Sequence, residues 1–254
     1  TIVGTVFARR RSATMRKQAE VVIVGAGPVG LCAALFLVKR GVRVLVLEAE
    51  KALPRDMRAS TFHPPTLDML DESGIAAQLV ERGHRAQRWQ YLRLDTNDAA
   101  IFDLSVLGDR TRHAYRLQCE QFHLTELLLE YLLRDSLFEI EFGARVMAIE
   151  QDGLGVQARL EGEGASFEAR GQFLVGADGA RSFVRQALGL ELTGDTYPAT
   201  SITVVVDFPF ERHLPHMLHV NYVWTARDHY SLMRVGRCWR TGFAPTAGQS
   251  VEVA

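Results

Sequence analysis

The feature that most constrains this chain is a glycine-rich turn set between two apolar segments. Residues 25–30 read Gly-Ala-Gly-Pro-Val-Gly, after the β-branched run at residues 20–24 and before the helix-length apolar segment 31–40. A second buried-strand pattern covers residues 42–47 and ends at Glu48. This order predicts a strand, a helix and a parallel strand within roughly 30 residues, which is the unit that binds dinucleotides.

Each residue type in this turn suits a bound pyrophosphate. Gly25 permits the tight turn, Gly27 lets the backbone approach the phosphates, and Gly30 lets the helix pack closely on the strand. Pro28 stands within the same turn, where a helix begins, and the positive end of that helix faces the negative charge. Glu48 has the position from which a carboxylate accepts hydrogen bonds from an adenosine ribose, and it would repel a 2′-phosphate. These residues predict FAD or NAD binding and do not separate the two.

Composition excludes several other classes of protein. In 254 residues, 29 Lys and Arg nearly cancel 30 Asp and Glu, so no global field favours nucleic acid or an anionic membrane. The three cysteines lie far apart, and the histidines His63, His84, His113 and His123 show no metal-ligand spacing. We therefore expect a cytoplasmic protein that binds a small molecule, with no metal and no dithiol chemistry. Self-association is left open.

The ends of the chain carry separate expectations. Residues 1–18 are expected to be a disordered or foreign extension, with Met15 as the natural start. The arginines at positions 9–11 precede an apolar run, but that run contains three glycines and a proline, which argues against a membrane helix. Residues 196–254 predict strands at 201–208, 219–224 and 231–235. Of these, 219–224 places Val220, Tyr222 and Trp224 on one face, an apolar pattern that favours the core over a ligand pocket.

Between these regions the patterns are mixed. Helices are predicted from Pro64, over residues 75–82 and over residues 118–133, and a small meander of strands at 145–150, 156–160 and 166–171. Then Phe-Leu-Val-Gly-Ala-Asp-Gly-Ala-Arg-Ser-Phe-Val-Arg runs over residues 173–185. An Asp-Gly pair after an apolar strand is by itself only a turn signal.

Here, however, the segment follows a glycine-rich dinucleotide turn and a meander. In that order it resembles the Asp-Gly fingerprint of the FAD-dependent aromatic-ring hydroxylases, the single-component flavoprotein monooxygenases similar to para-hydroxybenzoate hydroxylase. The residues that carry the resemblance are Gly176, Asp178, Gly179, Arg181, Ser182, Val184 and Arg185. It implies that Asp178 and Gly179 lie beside the FAD. It further implies an FAD contact for Arg58 and a flavin contact for Gln118, for which the alternatives are a solvated arginine and a surface amide.

The resemblance implies a fold and a reaction. The fold is α/β: a Rossmann-like FAD-binding domain at 19–195, with a parallel sheet and the small meander, followed by the start of a β-rich substrate domain at 196–254. The reaction is hydroxylation of a phenolic small molecule with NAD(P)H and O2, through a hydroperoxide at flavin C4a. In this family the flavin carries the chemistry, so no catalytic side chain is assigned.

Two other interpretations stay open. The first is another FAD or NAD oxidoreductase, such as an amine oxidase, a halogenase or a dehydrogenase. The second is a non-catalytic, truncated fragment, because the family's later Gly-Asp fingerprint is not found: Gly108-Asp109 precedes the Asp-Gly segment, and Gly194-Asp195 leads into a predicted strand. The ring substrate and the preference for NADH or NADPH are not determined by these residues.

Overall fold

A computed structural model describes residues 15–57, 59–162, 165–196, 201–214 and 216–244. They form two compact units, each assembled from two separate stretches of chain. Unit 1 comprises the described residues of Thr1–Pro54 and Leu129–Glu191, and unit 2 those of Arg55–Leu128 and Leu192–Ala254. The sequence prediction placed residues 55–128 in the domain 19–195. In the structure they group with the described residues after Leu192.

Unit 1 contains a four-stranded parallel sheet and a four-stranded mixed sheet. Its elements are β1 (Met15–Gln18), β2 (Val21–Val24), α1 (Pro28–Val38), β3 (Val44–Leu47), β9 (Phe138–Glu141), β10 (Arg145–Asp152), β11 (Gly155–Gly162), β12 (Ala165–Gly171), β13 (Phe173–Gly176) and α5 (Phe183–Ala187). The parallel sheet has the order β13-β2-β3-β9, and the mixed sheet has the order β1-β12-β11-β10. The sequence-derived βαβ unit and meander are both confirmed.

The parallel sheet forms because its strands are apolar on both faces. All four residues of β2 and of β3 are buried, as expected for strands covered on each side. Leu31, Ala34 and Leu35 of α1 are fully buried as well. The apolar run that begins at Val21 is therefore divided between a strand and an 11-residue helix. Among the described residues, no helix has the length and apolar character needed to cross a bilayer.

Strand β1 departs from the sequence expectation. Residues 15–18 were predicted to belong to an extension, yet Met15–Gln18 pair in parallel with Phe167–Arg170 of β12. Lys17 also contacts the carboxylates of Glu139 and Glu141. Backbone pairing and this charge cluster hold the segment, and neither depends on the apolar patterning from which strands are recognised. Residues 1–14 lie outside the described part of the chain.

Unit 2 contains a six-stranded and a three-stranded sheet. Its elements are β4 (Thr61–Phe62), α2 (Pro64–Asp71), α3 (Ile75–Arg82), β5 (His84–Ala86), β6 (Arg88–Arg93), β7 (Asp98–Asp103), a 3-10 helix (Leu104–Leu107), β8 (Arg116–Gln118), β14 (Ile202–Val206), a second 3-10 helix (Phe210–Arg212), β15 (Val220–Trp224), β16 (His229–Val235) and β17 (Cys238–Phe243). Helix α4 (Gln121–Leu132) begins in unit 2 and ends in unit 1.

The six-stranded sheet joins distant parts of the sequence. Its order is β14-β17-β16-β15-β6-β7, and β15 pairs in parallel with β6, from Asn221 opposite Gln90 to Trp224 opposite Arg93. The three-stranded sheet has the order β4-β8-β5, and its central strand β8 ends at Gln118. One face of the larger sheet is closed by an apolar cluster around Val223, Leu232 and Trp239.

Candidate functional site

The glycine-rich turn between β2 and α1 requires two of its three glycines for steric reasons. Gly25 has φ +104°, and a Cβ there would lie 2.5 Å from the carbonyl oxygen of Ala177. A Cβ on Gly30 would lie 2.0 Å from the carbonyl oxygen of Gly25. Since real Cβ atoms do not approach backbone oxygens so closely, the turn closes only with glycine at both positions.

The amino end of α1 is open at Gly27, the remaining glycine of the turn. Gly27 is the N-cap, no side chain caps the helix, and the first turn has no acidic residue. The first helical hydrogen bond runs from Leu31 N–H to the Gly27 carbonyl, so the preceding N–H groups of the turn have no helical acceptor. A Cβ on Gly27 would meet nothing within 4 Å. The helix therefore presents free donors and a positive dipole end to open space, which suits a phosphate group.

Glu48 is held beside this turn by its own carboxylate. Its Oε2 accepts a hydrogen bond from Ala26 N–H at 2.7 Å, and its Oε1 accepts one from Glu50 N–H at 2.9 Å. A carboxylate has about four lone-pair sites, so each oxygen keeps acceptor capacity for a further donor. The side chain thus fixes the turn against the end of β3 while it stays available to a ligand hydroxyl.

The Asp-Gly turn lies directly against the glycine-rich turn. Strands β13 and β2 pair in parallel, Ala177 N–H donates to the Val24 carbonyl at 2.8 Å, and the Cα of Asp178 lies 3.0 Å from where a Cβ on Gly25 would be. The two turns are therefore neighbours at the carboxyl ends of adjacent parallel strands, where ligands of open α/β sheets bind.

Several residues of the Asp-Gly segment also stabilise it internally. Asp178 accepts hydrogen bonds from the Ser182 hydroxyl at 2.5 Å and from Val184 N–H at 3.1 Å. Ser182 caps α5 by accepting from Arg185 N–H at 3.0 Å. A Cβ on Gly176 would lie 2.9 Å from the side chain of Val184, so the glycine permits close packing of α5 on β13. Gly179 has φ +82° and open space around it.

Of the remaining predicted site residues, Gln118 lies in unit 2 and Arg58 lies outside the described residues. The side chain of Gln118 is fully buried, which excludes a surface amide. Its Oε1 accepts from the Thr61 hydroxyl at 3.1 Å, whereas its buried Nε2 has no hydrogen-bond partner in the described structure. A buried amide donor without an acceptor costs free energy, and the flavin contact of Gln118 stays a prediction.

An aromatic surface in unit 2 was not predicted from the sequence. Trp89 and Phe102 stack at 4.2 Å between ring centroids, and the Tyr91 and Tyr222 rings lie 5.1 Å apart. We call these four residues the aromatic face. The signal in the sequence is weak, because the four residues come from β6, β7 and β15 and meet only through the pairing of β6 with β15.

The prediction that one face of β15 belongs to the core holds for Val220, which is fully buried, and is wrong for the two aromatic residues. Trp224 is 48% exposed and Tyr222 is only partly buried, whereas Asn221 and Val223 are fully buried on the other face. Asn221 is tolerated there because its side chain accepts from the Gln90 amide at 2.8 Å and donates to the Leu218 carbonyl at 2.6 Å. A satisfied polar pair therefore reversed the pattern expected from hydrophobicity.

One cluster combines residue types that bind metals, namely Asp68, Asp71 and His113. His113 is buried, its Nε2 lies 2.7 Å from Asp71 Oδ1, and its Nδ1 lies 2.8 Å from the Tyr115 hydroxyl. The Asp68 carboxylate accepts from the Thr111 hydroxyl at 2.8 Å. Each of these three side chains has a protein partner, Thr111 for Asp68 and Arg112 together with His113 for Asp71, and we assign no ion to them.

Comparison with known proteins extends over nearly the whole chain. The family described as FAD binding domain matches residues 18–249. The curated para-nitrophenol 4-monooxygenase of Pseudomonas sp. (strain WBC-3) is 34% identical over 193 residues, which are 76% of this chain and 48% of that protein. The 6-hydroxy-3-succinoylpyridine 3-monooxygenase of Pseudomonas putida (strain DSM 28022 / S16) is 34% identical over 199 residues, 78% of this chain and 51% of that protein.

A solved structure agrees with these relatives. The crystal structure of p-nitrophenol 4-monooxygenase from Pseudomonas putida DLL-E4 is similar with a TM-score of 0.87 and 30% sequence identity, over 94% of this chain and 60% of that one. The chain spans about half the length of the curated relatives it matches.

Proposed function

Because the chain belongs to the FAD-binding-domain family of flavoprotein aromatic monooxygenases, we propose that it acts in the FAD-dependent hydroxylation of a phenolic small molecule with NAD(P)H and O2. The reaction class follows the relatives, whose names describe monooxygenases that act on nitrophenol and on a hydroxypyridine. The phenolic substrate and NAD(P)H as the electron donor are part of the proposal.

The residues of unit 1 suit the adenosine diphosphate part of FAD. The open amino end of α1 and the N–H groups after Gly27 hold the pyrophosphate, with Pro28 at the first helical position. Glu48 accepts from a ribose hydroxyl through the capacity that Ala26 and Glu50 leave free. Asp178 and Gly179 form the neighbouring wall, where the left-handed glycine leaves the backbone unobstructed.

One observation carries the proposal: the glycine-rich turn and the Asp-Gly turn lie against each other at the ends of β2 and β13. Either turn alone is a common feature of loops. Two turns that are more than 140 positions apart in the sequence and meet at one sheet edge are close enough to contact one ligand.

When bound, FAD supplies the transfer of electrons from NAD(P)H and the activation of O2. The chain's own residues position the groups around it. We propose that the buried amide of Gln118 donates to the flavin, that Arg58 contacts the FAD, and that the aromatic face offers its rings to an aromatic substrate by stacking. Exclusion of water from the reacting atoms is the remaining requirement on the protein.

The test has two stages. The purified chain is first titrated with FAD, and bound flavin is measured by absorbance after gel filtration. NAD(P)H oxidation is then followed with a panel of phenols, and hydroxylated product is quantified. We expect retained flavin and an oxidation rate that a phenol stimulates. Protein that stays colourless at saturating FAD contradicts the proposal, and flavin without phenol stimulation contradicts hydroxylation.

The same assay separates the competing enzymes. An amine oxidase or a halogenase would yield a deaminated or halogenated product, and a dehydrogenase would not consume oxygen in step with NAD(P)H. We propose the cytoplasm as the compartment, since Cys32, Cys119 and Cys238 are all free thiols.

A further inference from the structure

Two tyrosine rings lie side by side on one face of the six-stranded sheet. Tyr91 on β6 stands opposite Tyr222 on β15 in the parallel pairing of these strands. Their ring centroids are 5.1 Å apart, and the angle between the ring planes is 33°. Of the ring contacts between described residues, this one alone joins two tyrosines. The pair is therefore a candidate for chemistry that needs two phenols in contact.

Neighbouring side chains restrict the position of both rings. The centroid of the Trp89 ring lies 5.5 Å from that of Tyr91 and 5.7 Å from that of Tyr222. The Phe102 ring contacts Tyr91 edge-on, with 6.1 Å between the centroids. The Tyr222 hydroxyl accepts a hydrogen bond from Arg116 Nη1 at 3.3 Å. Because the two phenols are held together before any reaction, a covalent bond between them needs little rearrangement.

Small reagents can reach the pair from solvent. Tyr91 is 41% exposed and lines an open cavity of about 600 Å³, together with residues that include Trp224. The residue opposite Tyr91 on β7 is Ala100, whose methyl group is too small to cover the ring. Tyr222 is half-buried beside it. An oxidant in solution therefore meets Tyr91 first, and the second phenol is already in ring contact with it.

From this arrangement we infer that Tyr91 and Tyr222 form an oxidation-sensitive pair, which a one-electron oxidant converts to a dityrosine cross-link within the chain. Each phenol gives one electron to the oxidant and its hydroxyl proton to water. The two phenoxyl radicals then form one carbon–carbon bond between ring carbons that neighbour the hydroxyl-bearing carbons. The hydrogen on each bonded carbon moves to the phenol oxygen, so the product has lost two electrons and two protons in all.

The cross-link joins the two stretches of chain that form unit 2. Strand β6 belongs to Arg55–Leu128, and β15 belongs to Leu192–Ala254. Because the linked residues are more than 100 positions apart, the bond restricts the unfolded chain, as a disulfide across a long loop does. Oxidation of the pair therefore stabilises unit 2. The inference does not depend on the proposed function.

The experiment oxidises the 254-residue chain with photochemically generated tris(bipyridyl)ruthenium(III), in the absence of FAD and NAD(P)H. Dityrosine is measured by its fluorescence, and the bond is located by mass spectrometry of proteolytic peptides. We expect a monomeric product that is lighter by two hydrogen atoms, with Tyr91 and Tyr222 in one pair of linked peptides. The yield should not depend on protein concentration, because coupling of two groups held in contact is unimolecular. The urea midpoint of the cross-linked chain should move to a higher concentration.

Conservative variants assign the cross-link to these two residues. Tyr91→Phe and Tyr222→Phe each remove one phenol and keep the ring, and each should lower the dityrosine yield about 10-fold or more. Tyr230→Phe is the matched control, because Tyr230 stands opposite Val223 on the other face of the same sheet. Its yield should stay within about 2-fold of the parent, since it is no part of the pair. A cooperative urea transition in each unoxidised variant shows that it is folded.

Other products contradict the inference. Dityrosine confined to intermolecular dimers, a cross-link at other tyrosines, or an unchanged yield in either Tyr91→Phe or Tyr222→Phe overturns it. Oxidised chain that contains no dityrosine overturns it as well. Because the test uses no flavin, the cross-link can form in a chain that hydroxylates nothing, and an active hydroxylase can lack it. The failure of this inference is therefore distinguishable from the failure of the proposed function.

Discussion

Gly27 and Gly30 occupy the same turn, yet a methyl group added to each has a different consequence. At Gly30 it meets the Gly25 carbonyl oxygen at 2.0 Å, and at Gly27 it meets nothing within 4 Å. Gly30 therefore serves the fold, whereas Gly27 keeps clear a space that the protein itself does not fill. Alanine substitutions at Gly30 and at Gly27 can therefore distinguish a glycine needed for folding from a glycine needed for ligand binding.

We predict that Gly30→Ala lowers the free energy of urea-induced unfolding by more than about 2 kcal/mol, since the backbone must shift to relieve the clash. Gly27→Ala should cost only about 0.5–1 kcal/mol, the effect of a poorer N-cap, but should weaken FAD binding at least 10-fold. Unfolding curves and flavin titrations of both variants check this. Tight FAD binding by Gly27→Ala would show that the pyrophosphate lies elsewhere.

Asp178 has a structural role that does not depend on any ligand. Its carboxylate accepts from the Ser182 hydroxyl and from Val184 N–H. We predict that Asp178→Ala lowers the free energy of unfolding by about 1–3 kcal/mol without FAD present, because two donors at the start of α5 lose their acceptor. Asp98→Ala, on the exposed strand β7, is the matched control, because no described hydrogen bond depends on the Asp98 carboxylate. Equal unfolding curves for Asp178→Ala and the parent chain would contradict the capping role.

Among the elements, the junction of β8 and α4 carries a buried acid. Glu120 is 6% exposed, and neither carboxylate oxygen has a hydrogen-bond partner in the described residues. Burial raises its pKa above the ordinary value of 4.5, although the charge of Arg240 opposes that rise. A raised pKa in the folded chain means that its contribution to stability is full below pH 4.5 and is lost as pH rises through the folded pKa.

We therefore predict that Glu120→Gln increases the free energy of unfolding at pH 7 by about 1 kcal/mol, because a neutral amide replaces a buried anion. The gain should vanish near pH 4, where the parent side chain is protonated in both states. Glu130→Gln, on the exposed side of α4, should change stability by less than about 0.5 kcal/mol at either pH. Urea unfolding at the two pH values is the measurement. A pH-independent effect of Glu120→Gln would contradict the buried-acid account.

Local patterns predicted the elements that are set by their own sequence. The apolar strands β2 and β3, helix α1 behind its glycine turn, α2 from Pro64 and the meander β10 to β12 all match their predicted positions. Strands β4 to β9 and β17 were not predicted, and β1 was assigned to an extension. These strands are short or polar, and several of them pair with strands far along the chain, as β6 does with β15 and β9 with β3.

The candidate site divides in the same way. Gly25, Gly27, Gly30 and Glu48 belong to one local unit whose spacing is diagnostic, so their placement was predictable. The aromatic face was not, since Trp89 and Tyr91 on β6 meet Tyr222 on β15 only through the parallel pairing of these two strands. Local sequence patterns carry no information about such contacts between distant parts of the chain.

For the whole molecule, the two turns of the proposed FAD site come from both stretches of chain that make up unit 1. A cofactor bound at these turns would stabilise the folded state of that unit. A ligand that binds only the folded state stabilises it by about 2.7 kcal/mol at a concentration 100 times its Kd. Hydrogen exchange resolves where this stabilisation appears, because amides report local opening.

We predict that saturating FAD slows amide exchange at residues 25–31, at residues 177–185 and, in unit 2, around Gln118 in β8. Exchange in β7, an exposed edge strand, should not change and serves as the internal control. Mass spectrometry of peptides from the chain with and without FAD, and from Gly27→Ala, makes the comparison. Slower exchange confined to unit 1 would mean that Gln118 does not contact the flavin, so its unpaired amide would need another ligand. Slower exchange at residues 25–31 and 177–185, lost together in Gly27→Ala, would support the binding of one cofactor by both turns of unit 1.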